Sequence, residues 1–362
     1  HHLEELNEII LEGKTNNDSE TSLENKITKE ELEKSSSKSL GDVLNSISGI
    51  SSLNTGNTIV KPVINGLHSS RVVILNDGIR LEDQDWGAEH APNLDINAID
   101  NITVIKGASA LQYSGNAIGG IVITETAKAP VKDSIYGKTI VTAASNGRGG
   151  TTTTQLTKTY KSGWYGNIQG TIKRFGDFNA PDYNLSNTGV YERSLSVRGG
   201  INRFRSGLEA SYSLYKMETG ILRASHLGGA QDQIRAINNL EPLFVDDFTY
   251  NINSPKQDVE HHILKLKGFK KFEKLGKLDF KYSFQQNNRL EFDVRRGDDR
   301  DKPSLDLKLN THTLLLDLDS KLSETANLKL GLTGQYQTNF ADPSTGIRRL
   351  IPDYSEYNTG LY

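Results

Sequence analysis

Much of the second half of the chain alternates between apolar and polar residues. Between positions 164 and 173, Trp164, Ile168 and Ile172 share one face of the pattern with two glycines, and polar residues fill most of the other. The same period of two recurs in residues 278–285 and 328–337. This spacing predicts β-strands with one apolar and one polar face.

The length of these strands favours a membrane barrel over a β-sandwich. Sandwich strands usually have about 5–6 residues, whereas about 9–11 cross a bilayer and these run to about 12 or more. The connections also alternate between short and long, as tight turns and external loops do in such barrels. The short ones lie near 161–163, 202–203, 273–276 and 323–324, and the long ones span 177–189, 221–257, 290–303 and 341–355. The first external link, at Asn146-Gly147, is a short exception.

We count about nine strands and the start of a tenth at 356–362, against about 22 in plugged outer-membrane transporters. An open sheet edge is not tolerated in lipid. The predicted fold is therefore mainly β: an incomplete antiparallel transmembrane β-barrel over 131–362, completed by a missing barrel segment or by another chain.

The first third of the chain carries signals of a small α+β domain, assigned to residues 25–130. Thr28 and Glu31 form a capping box, and a second helix has apolar residues from Leu40 to Ile47 before Gly49 ends it. Strand formers from Arg71 run into the tight turn Asn76-Asp77-Gly78. Residues 105–122 read as a strand, a short link and a second strand, with glycines at both joints.

These motifs resemble the plug domain of TonB-dependent outer-membrane receptors. Residues 105–122 are similar to the end of the plug, residues 39–50 to its opening, and residues 62–79 to its central strand and hairpin. Asn65 stands where the family has arginine, which weakens any carry-over of that residue's role. The resemblance implies that the 25–130 domain sits inside the barrel. The motif residues are Gly66, Arg71, Asp77, Gly78, Lys106, Gly107, Tyr113, Gly119 and Gly120.

Residues 1–24 are assigned as a recruiting segment and its linker. A short β-prone stretch precedes a polar run from Lys14 to Glu20, as suits a peptide that adds to another protein's sheet edge. It resembles a TonB box, which implies that the periplasmic TonB protein is a partner. The alternative is the last strand of a preceding domain. The residues concerned are Leu6, Asn7, Glu8, Ile9, Ile10, Leu11 and Glu12.

Composition excludes several other classes. The 362 residues include no cysteine, so disulfides and thiolate metal sites are excluded. The net charge is −3 and no basic cluster suggests nucleic acid. No run of 18 apolar residues predicts a membrane-spanning helix, and no signal peptide is visible; His1 and His2 are either a tag remnant or the point where an upstream segment was cut. No catalytic motif is present, so an enzyme is not expected.

The best candidate for chemistry is the loop from Trp86 to Pro92. Adjacent carboxylate and imidazole groups suit a borderline cation such as zinc. The loop resembles that of the zinc-importing branch of the family, which implies that Glu89 and His90 bind metal while Asp83 and Asp85 attract it. The alternative is a structural loop whose His90 and Trp86 pack against the barrel wall.

Barrel residues that face the lumen are secondary candidates. With Leu264 and Leu266 toward lipid, the period of two turns His261 inward and His262 outward. With Leu305, Leu307 and Leu309 outward, it turns His312 inward together with Asp306, Lys308 and Asn310. For each the alternative is a solvated wall residue. Weaker candidates are Asp246, Asp247, His226 and Asp232.

The expected function is import of a divalent metal, zinc or copper, across the bacterial outer membrane. Its partners would be TonB, outer-membrane lipid and a surface lipoprotein, with no tightly bound cofactor. One alternative cargo is a metal chelate, siderophore or other organic nutrient, held by aromatic and arginine side chains in loops such as 221–257. The other alternative is a non-transporting binding or secretion-associated subunit of the outer membrane.

Overall fold

A computed structural model describes residues 23–54, 59–83, 90–225, 227, 229–239, 241–295, 297–323, 325–347 and 351–362. Within these ranges the chain forms a small N-terminal domain, here called the plug, and a large antiparallel sheet, here called the wall. None of the helices in the described ranges is both long and apolar enough to cross a membrane.

The plug is built on a five-stranded sheet with the order β1-β6-β7-β4-β5. Strands β4 and β7 run parallel, and the other neighbours in this sheet are antiparallel. Strands β2 and β3 form a separate pair. The elements are β1 (Leu23–Ile27), α1 (Lys29–Lys34), α2 (Leu40–Leu44), β2 (Ile50–Asn54), β3 (Val60–Ile64), β4 (Val72–Asn76), β5 (Ile79–Arg80), β6 (Asn101–Lys106) and β7 (Gly120–Glu125).

Both plug helices begin where the sequence predicts. Thr28 and Glu31 form the expected capping box, and Ser39 forms a second one with Asp42. Helix α2 is shorter than predicted, because it ends at Leu44 and not near Gly49; Ile47 is nevertheless buried in the plug core. Strand β1 starts at Leu23, so the expected boundary between residues 24 and 25 falls inside a plug strand.

The plug has its own hydrophobic core. Leu44, Ile64, Ile102 and Val122 are fully buried between the helices and the central strands. Ile121 is buried in a second cluster on the other face of β7. This burial explains why a domain of about a hundred residues holds its shape within a wide sheet.

The wall contains ten antiparallel strands that follow one another in chain order, apart from a small hairpin in an external loop. Nine of the ten described strands have 11 to 17 residues, which is long enough to cross a bilayer, and the last one has 8. The elements are β8 (Ser134–Ala144), β9 (Gly149–Thr159), β10 (Trp164–Phe175), the hairpin strands β11 (Phe178–Asn179) and β12 (Asn184–Leu185), β13 (Val190–Asn202), β14 (Ser206–Gly220), α3 (Ala230–Asn238), β15 (Lys256–Phe272), β16 (Gly276–Phe292), β17 (Leu305–Lys321), β18 (Asn327–Ala341) and β19 (Tyr354–Leu361).

The predicted faces of β10, β16 and β18 are confirmed. On β10, Ile168 and Ile172 are exposed, whereas Gln169 and Thr171 are buried toward the plug. On β16 and β18, Gln285 and Gln335 point inward and bond to the plug residue Glu82. The polar face of the wall is therefore the one that packs on the plug.

The prediction for β17 is wrong. Leu307 and Leu309 are buried on the inward face, and His312 lies outward with its ring centroid 4.8 Å from that of Phe284. The physical reason is the length of the strand. Strand β17 has 17 residues, whereas roughly 9–11 cross a bilayer. Its upper part therefore extends beyond the lipid, where outward-facing residues need not be apolar. The outward residues there are Asp306, Lys308 and Asn310, which share the parity of His312.

Candidate functional site

The plug meets the wall along a column of inward-facing side chains on β15 and β16. Cross-strand pairs set the levels of this column: Gln257 with Glu291 at the top, then His261 with Asn287, and Lys265 with Ser283 lower down. Because a strand rises about 3.3 Å per residue, neighbouring levels named here are about 13 Å apart. Each level faces a different segment of the plug.

At the top, a plug histidine contacts a wall carboxylate. His90 Nε2 lies 2.7 Å from Glu291 Oε1, and both side chains are largely buried. Arg289 lies 3.8 Å from the same carboxylate and donates a 3.0 Å hydrogen bond to Gln257. The contact joins an imidazole and a carboxylate, which are two typical ligands of zinc.

The position of His90 depends on the loop that carries it. The Asp83 carboxylate accepts a 2.9 Å hydrogen bond from the backbone N–H of Asn93, which ties the two ends of residues 83–93 together. This hydrogen bond therefore fixes the backbone three residues after His90. Asp83, expected to attract cations, has this structural hydrogen bond as well.

Between the top and the bottom of the column, polar side chains join the plug hairpin to the wall. Gln285 accepts from the backbone N–H of Glu82 at 3.0 Å and donates to the carbonyl oxygen of Arg80 at 2.8 Å. Gln335 donates to the Glu82 carboxylate at 2.8 Å. The segment that leads into the His90 loop is thus held by wall strands β16 and β18.

At the bottom, the plug turn is joined to the wall by a buried ion pair. Asp77 Oδ2 lies 3.0 Å from Lys265 Nζ and 3.8 Å from Lys267 Nζ. Thr126 donates two hydrogen bonds to the other carboxylate oxygen. Burial opposes ionisation of Asp77, but the two lysines and the Thr126 bonds outweigh it and hold the pKa of this carboxyl well below its ordinary value of 3.8.

The ion pair belongs to a larger network. Lys267 also lies 2.9 Å from Glu209, which accepts a short hydrogen bond from Tyr165. Arg198 approaches Glu209 at 3.8 Å and donates to the Thr126 hydroxyl. The plug residues Asp77 and Thr126 are thereby linked to four wall strands.

A cavity of about 90 Å³ lies between the plug and the wall strands β8–β10 and β13–β15, next to this column. Its lining includes Asn93 and Asp95 of the plug, and Ser211, Tyr215 and His261 of the wall. Asp95 accepts hydrogen bonds from the backbone N–H of Asn97 at 2.9 Å, from Gln169 at 3.3 Å and from Ser194. The chamber is therefore polar and carries a carboxylate.

The external loops enclose a second, larger space. A pocket of about 660 Å³ is bounded by residues 179–184 and by Glu241, Val245, Asp246 and Asp247. Asp182 adds a fourth carboxylate to its lining. Asp232 lies on the exposed face of α3 and pairs with Arg235 at 3.6 Å. Asp246 and Asp247 are thus pocket residues, while Asp232 takes part in a surface ion pair.

Two guanidinium–aromatic pairs flank these loops. The Arg148 guanidinium lies 4.2 Å from the centroid of the Phe248 ring, and that of Arg223 lies 4.1 Å from the Phe244 ring. Such pairs suit planar organic ligands as well as loop packing.

The predicted metal residues are only partly brought together. His90 reaches the plug–wall boundary, while Glu89, Asp85 and His226 lie outside the described residues. His261 faces inward and His262 outward, as predicted. His312 points away from the plug, hydrogen bonds to Tyr282 at 2.9 Å and cannot contribute to a lumenal site.

Glu291 is the functional candidate that the sequence reasoning missed. Its inward orientation could be predicted, because side chains alternate along a strand and Glu291 lies an even number of residues, six, after the inward-facing Gln285. What the sequence could not supply was its proximity to His90, 201 residues away. Among the residues that the structure describes, no three His, Cys, Asp or Glu side chains converge as a metal site.

The plug motif residues form the framework around this boundary. Asp77 and Gly78 both have positive φ, 53° and 76°, which gives the predicted two-residue turn. Gly119 donates to the Arg71 carbonyl at 2.8 Å and lies so close to Leu67 and Val72 that a Cβ would collide. The remaining motif residues are Lys106, which donates to the Ser48 carbonyl, Tyr113, which is half-exposed, and Gly66, Gly107 and Gly120, which have positive φ. Residues Leu6–Glu12 lie outside the described residues.

Comparison with known proteins agrees with this architecture. Residues 15–121 match the model of the TonB-dependent Receptor Plug Domain. The chain is 33% identical over 100 residues to the vitamin B12 transporter BtuB of Vibrio vulnificus and 29% identical over 98 residues to that of Vibrio cholerae. Each match covers 26% of this chain and 16% of the relative.

Solved structures match over the plug and the wall together. The copper transporter OprC aligns with a TM-score of 0.67 at 16% identity, covering 89% of this chain and 48% of that one. The ferric enterobactin receptor PfeA aligns with a TM-score of 0.68 at 13% identity, covering 93% and 54%. The siderophore receptor PirA from Pseudomonas aeruginosa aligns with a TM-score of 0.62 at 14% identity, covering 93% and 52%. The chain thus spans about half the length of these structures.

Proposed function

This chain carries the plug domain and ten wall strands of a TonB-dependent receptor of the bacterial outer membrane, and on that premise we propose that it captures a divalent metal ion, zinc or copper, for import. The site would lie where the plug loop meets the top of the wall. Glu89 and His90 would supply ligands from the plug, and Glu291 would supply one from β16.

The observation that supports this proposal is the 2.7 Å contact between His90 and Glu291. A borderline cation binds well to neutral imidazole and carboxylate oxygen, and both groups are present on opposite sides of a boundary. A cation bound there would bridge the stationary wall and the plug. Binding would thereby be coupled to the position of the plug, which is what an importer of this kind requires.

Carboxylates of the external loops would help to gather the cargo. Asp182, Glu241, Asp246 and Asp247 line one external pocket. A concentration of negative charge above a narrow entrance raises the local concentration of cations and their rate of arrival. These residues would attract metal without forming the tight site.

Energy would come from contact with the periplasmic TonB protein. Residues Leu6–Glu12 would form the strand that TonB captures, by the sheet-edge addition common to extended peptides. Pulling on this segment would disturb the plug and open a path. This scheme requires no tightly bound cofactor, and a surface lipoprotein would be a further partner.

A binding titration on the full-length receptor tests the proposal. We expect calorimetric zinc affinity to fall by more than about tenfold in each of His90→Gln, Glu291→Gln and Glu89→Gln, since loss of even an outer partner of a metal ligand costs about 10–100-fold. His312→Gln and Glu260→Gln are matched controls, because both side chains face outward from the wall. Zinc and copper affinities that are unchanged in all three test variants would refute a metal site at this place.

An organic chelate is the second candidate cargo. The external pocket of about 660 Å³ has the volume of a typical small-molecule site, and Arg148 and Arg223 lie over aromatic rings near it. If this candidate is correct, Asp246→Asn combined with Asp247→Asn weakens binding of a metal chelate, whereas His90→Gln does not. For the non-transporting alternative, deletion of Leu6–Glu12 would leave cargo uptake intact.

A further inference from the structure

We propose that Arg174 and Arg193, on the outward face of the wall, bind the phosphate headgroup of an anionic lipid in the external leaflet of the membrane. This inference goes beyond import, because it concerns the face of the wall that turns away from the plug. It names the class of lipid that the receptor would select from the bilayer around it.

The two guanidinium groups approach one tyrosine ring on neighbouring strands. The Arg174 guanidinium carbon lies 5.0 Å from the centroid of the Tyr191 ring, and that of Arg193 lies 4.7 Å from the same centroid. Both positive charges are therefore held close to one ring, where they repel each other. Arg174 also donates to the carbonyl oxygen of Tyr250, which helps to fix its position. Because a guanidinium has five N–H donors, this bond leaves others for a ligand.

Both arginines lie at the external end of the surface that faces lipid. Trp164, Ile168 and Ile172 are exposed on this face of β10, and Arg193 lies directly opposite Ile172 on β13. Arg174 is ten residues after Trp164, which is about 33 Å along the strand and about 25 Å across the membrane for a tilt of about 40°. The apolar band of such barrels is about 25 Å tall, so the arginines reach the level of the external headgroups.

Neither guanidinium forms an ion pair with a carboxylate of the described residues. The carboxylates on the neighbouring strands are already paired with lysines. Glu218 lies 2.7 Å from Lys256, and Glu260 lies 2.7 Å from Lys216. Asp258 is on β15, two strands and thus about 10 Å away from the tyrosine that both arginines approach. Two positive charges therefore remain without a counter-ion on β10 and β13.

A phosphate monoester at the head of a lipid matches this arrangement. It carries about −1.5 to −2 charges at neutral pH, which balances two guanidinium groups. Guanidinium also binds phosphate through two parallel N–H···O bonds. The acyl chains of the lipid would lie against Ile172 and Leu195, which are exposed apolar residues directly below the arginines. A free phosphate ion would gain nothing from these apolar side chains, so we assign the site to a lipid.

Native mass spectrometry of the full-length receptor tests this site. The probe is phosphatidic acid, a phosphomonoester lipid, and the zwitterionic phosphatidylcholine is the reference. We expect the unmodified receptor to prefer phosphatidic acid. This preference should fall about fivefold in Arg193→Gln and about thirtyfold when Arg174→Gln is added, because each basic side chain near an anionic lipid contributes about fivefold. The matched control is Arg235→Gln combined with Arg300→Gln, which removes two arginines that are exposed in external loops.

Three outcomes would overturn the inference. The first is a test double variant that retains the full preference for phosphatidic acid. The second is an equal fall of the preference in the control double variant, which would show a general effect of net charge. The third is displacement of bound phosphatidic acid by an equal concentration of inorganic phosphate, which would identify a site for a soluble anion. None of these measurements involves zinc or copper, so they hold whether or not the proposed cargo is correct.

Discussion

Replacing Asp77 by asparagine should loosen the plug from the wall. The carboxylate is buried and lies 3.0 Å from Lys265, whose side chain is also buried. Removing one member of such a pair leaves a buried charge without its counter-ion, which costs about 3–5 kcal/mol. We expect Asp77→Asn to destabilise the docked plug by an amount within this range.

A double substitution distinguishes the ion pair from simple loss of packing. Replacing a buried pair by apolar groups of similar size is often neutral, so Lys265→Met added to Asp77→Asn should recover much of the lost stability. The assay is hydrogen exchange of the β4–β7 amides in the full-length receptor, which reports local opening. A single variant within about 0.5 kcal/mol of the unmodified receptor, or a double variant worse than both singles, would refute this reasoning.

The same carboxylate predicts how docking responds to acid. Its pKa is lowered in the folded receptor, so its contribution is present above the ordinary value of 3.8 and is lost as the pH falls further toward the folded value. Plug protection should therefore be constant between pH 7 and pH 5 in the unmodified receptor. Weakening of plug protection between pH 7 and pH 5 that is absent from Asp77→Asn would contradict the assignment.

Three further substitutions test other parts of the plug, all by the same exchange assay. Leu44→Ala removes a fully buried side chain from the core and should cost about 2–5 kcal/mol, with Leu53→Ala, a half-exposed leucine, as control. Ser39→Ala removes the cap of α2 and should cost about 1 kcal/mol, mainly in that helix. Glu33→Gln breaks a partly exposed pair with Lys138 and should cost less than about 1 kcal/mol at low salt and almost nothing at high salt. Effects that exceed these bounds would show that the plug is stabilised otherwise.

Local sequence rules predicted most of the fold. The Thr28–Glu31 capping box predicted the start of the first plug helix, and the spacing of apolar residues predicted the second. The Asn76-Asp77-Gly78 turn could be predicted because two consecutive positive φ angles require such residues. The alternation of apolar and polar residues predicted which face of β10 points inward, because apolar side chains are favoured on the side toward lipid and polar ones on the side toward the plug. These signals are local, which is why a single sequence contains them.

The candidate site was predicted only in part, because its members are distant in the chain. His90 was identified from its loop, but Glu291 became a candidate only when β16 was seen to face that loop. His312 was assigned to the wrong face because leucines occur on both sides of β17, so its parity was ambiguous. Alternation identifies faces only where lipid constrains one of them.

The anchor at Asp77 has a consequence for biogenesis. Its counter-ion, Lys265, is 188 residues further along the polypeptide, so synthesis completes the plug long before that lysine exists. A nascent plug therefore presents a solvated aspartate in place of a buried one. The plug can therefore reach its final position only after strand β15 has been made. If the wall were released into the membrane with this strand unpaired, the plug would not be anchored and the lumen would stay open.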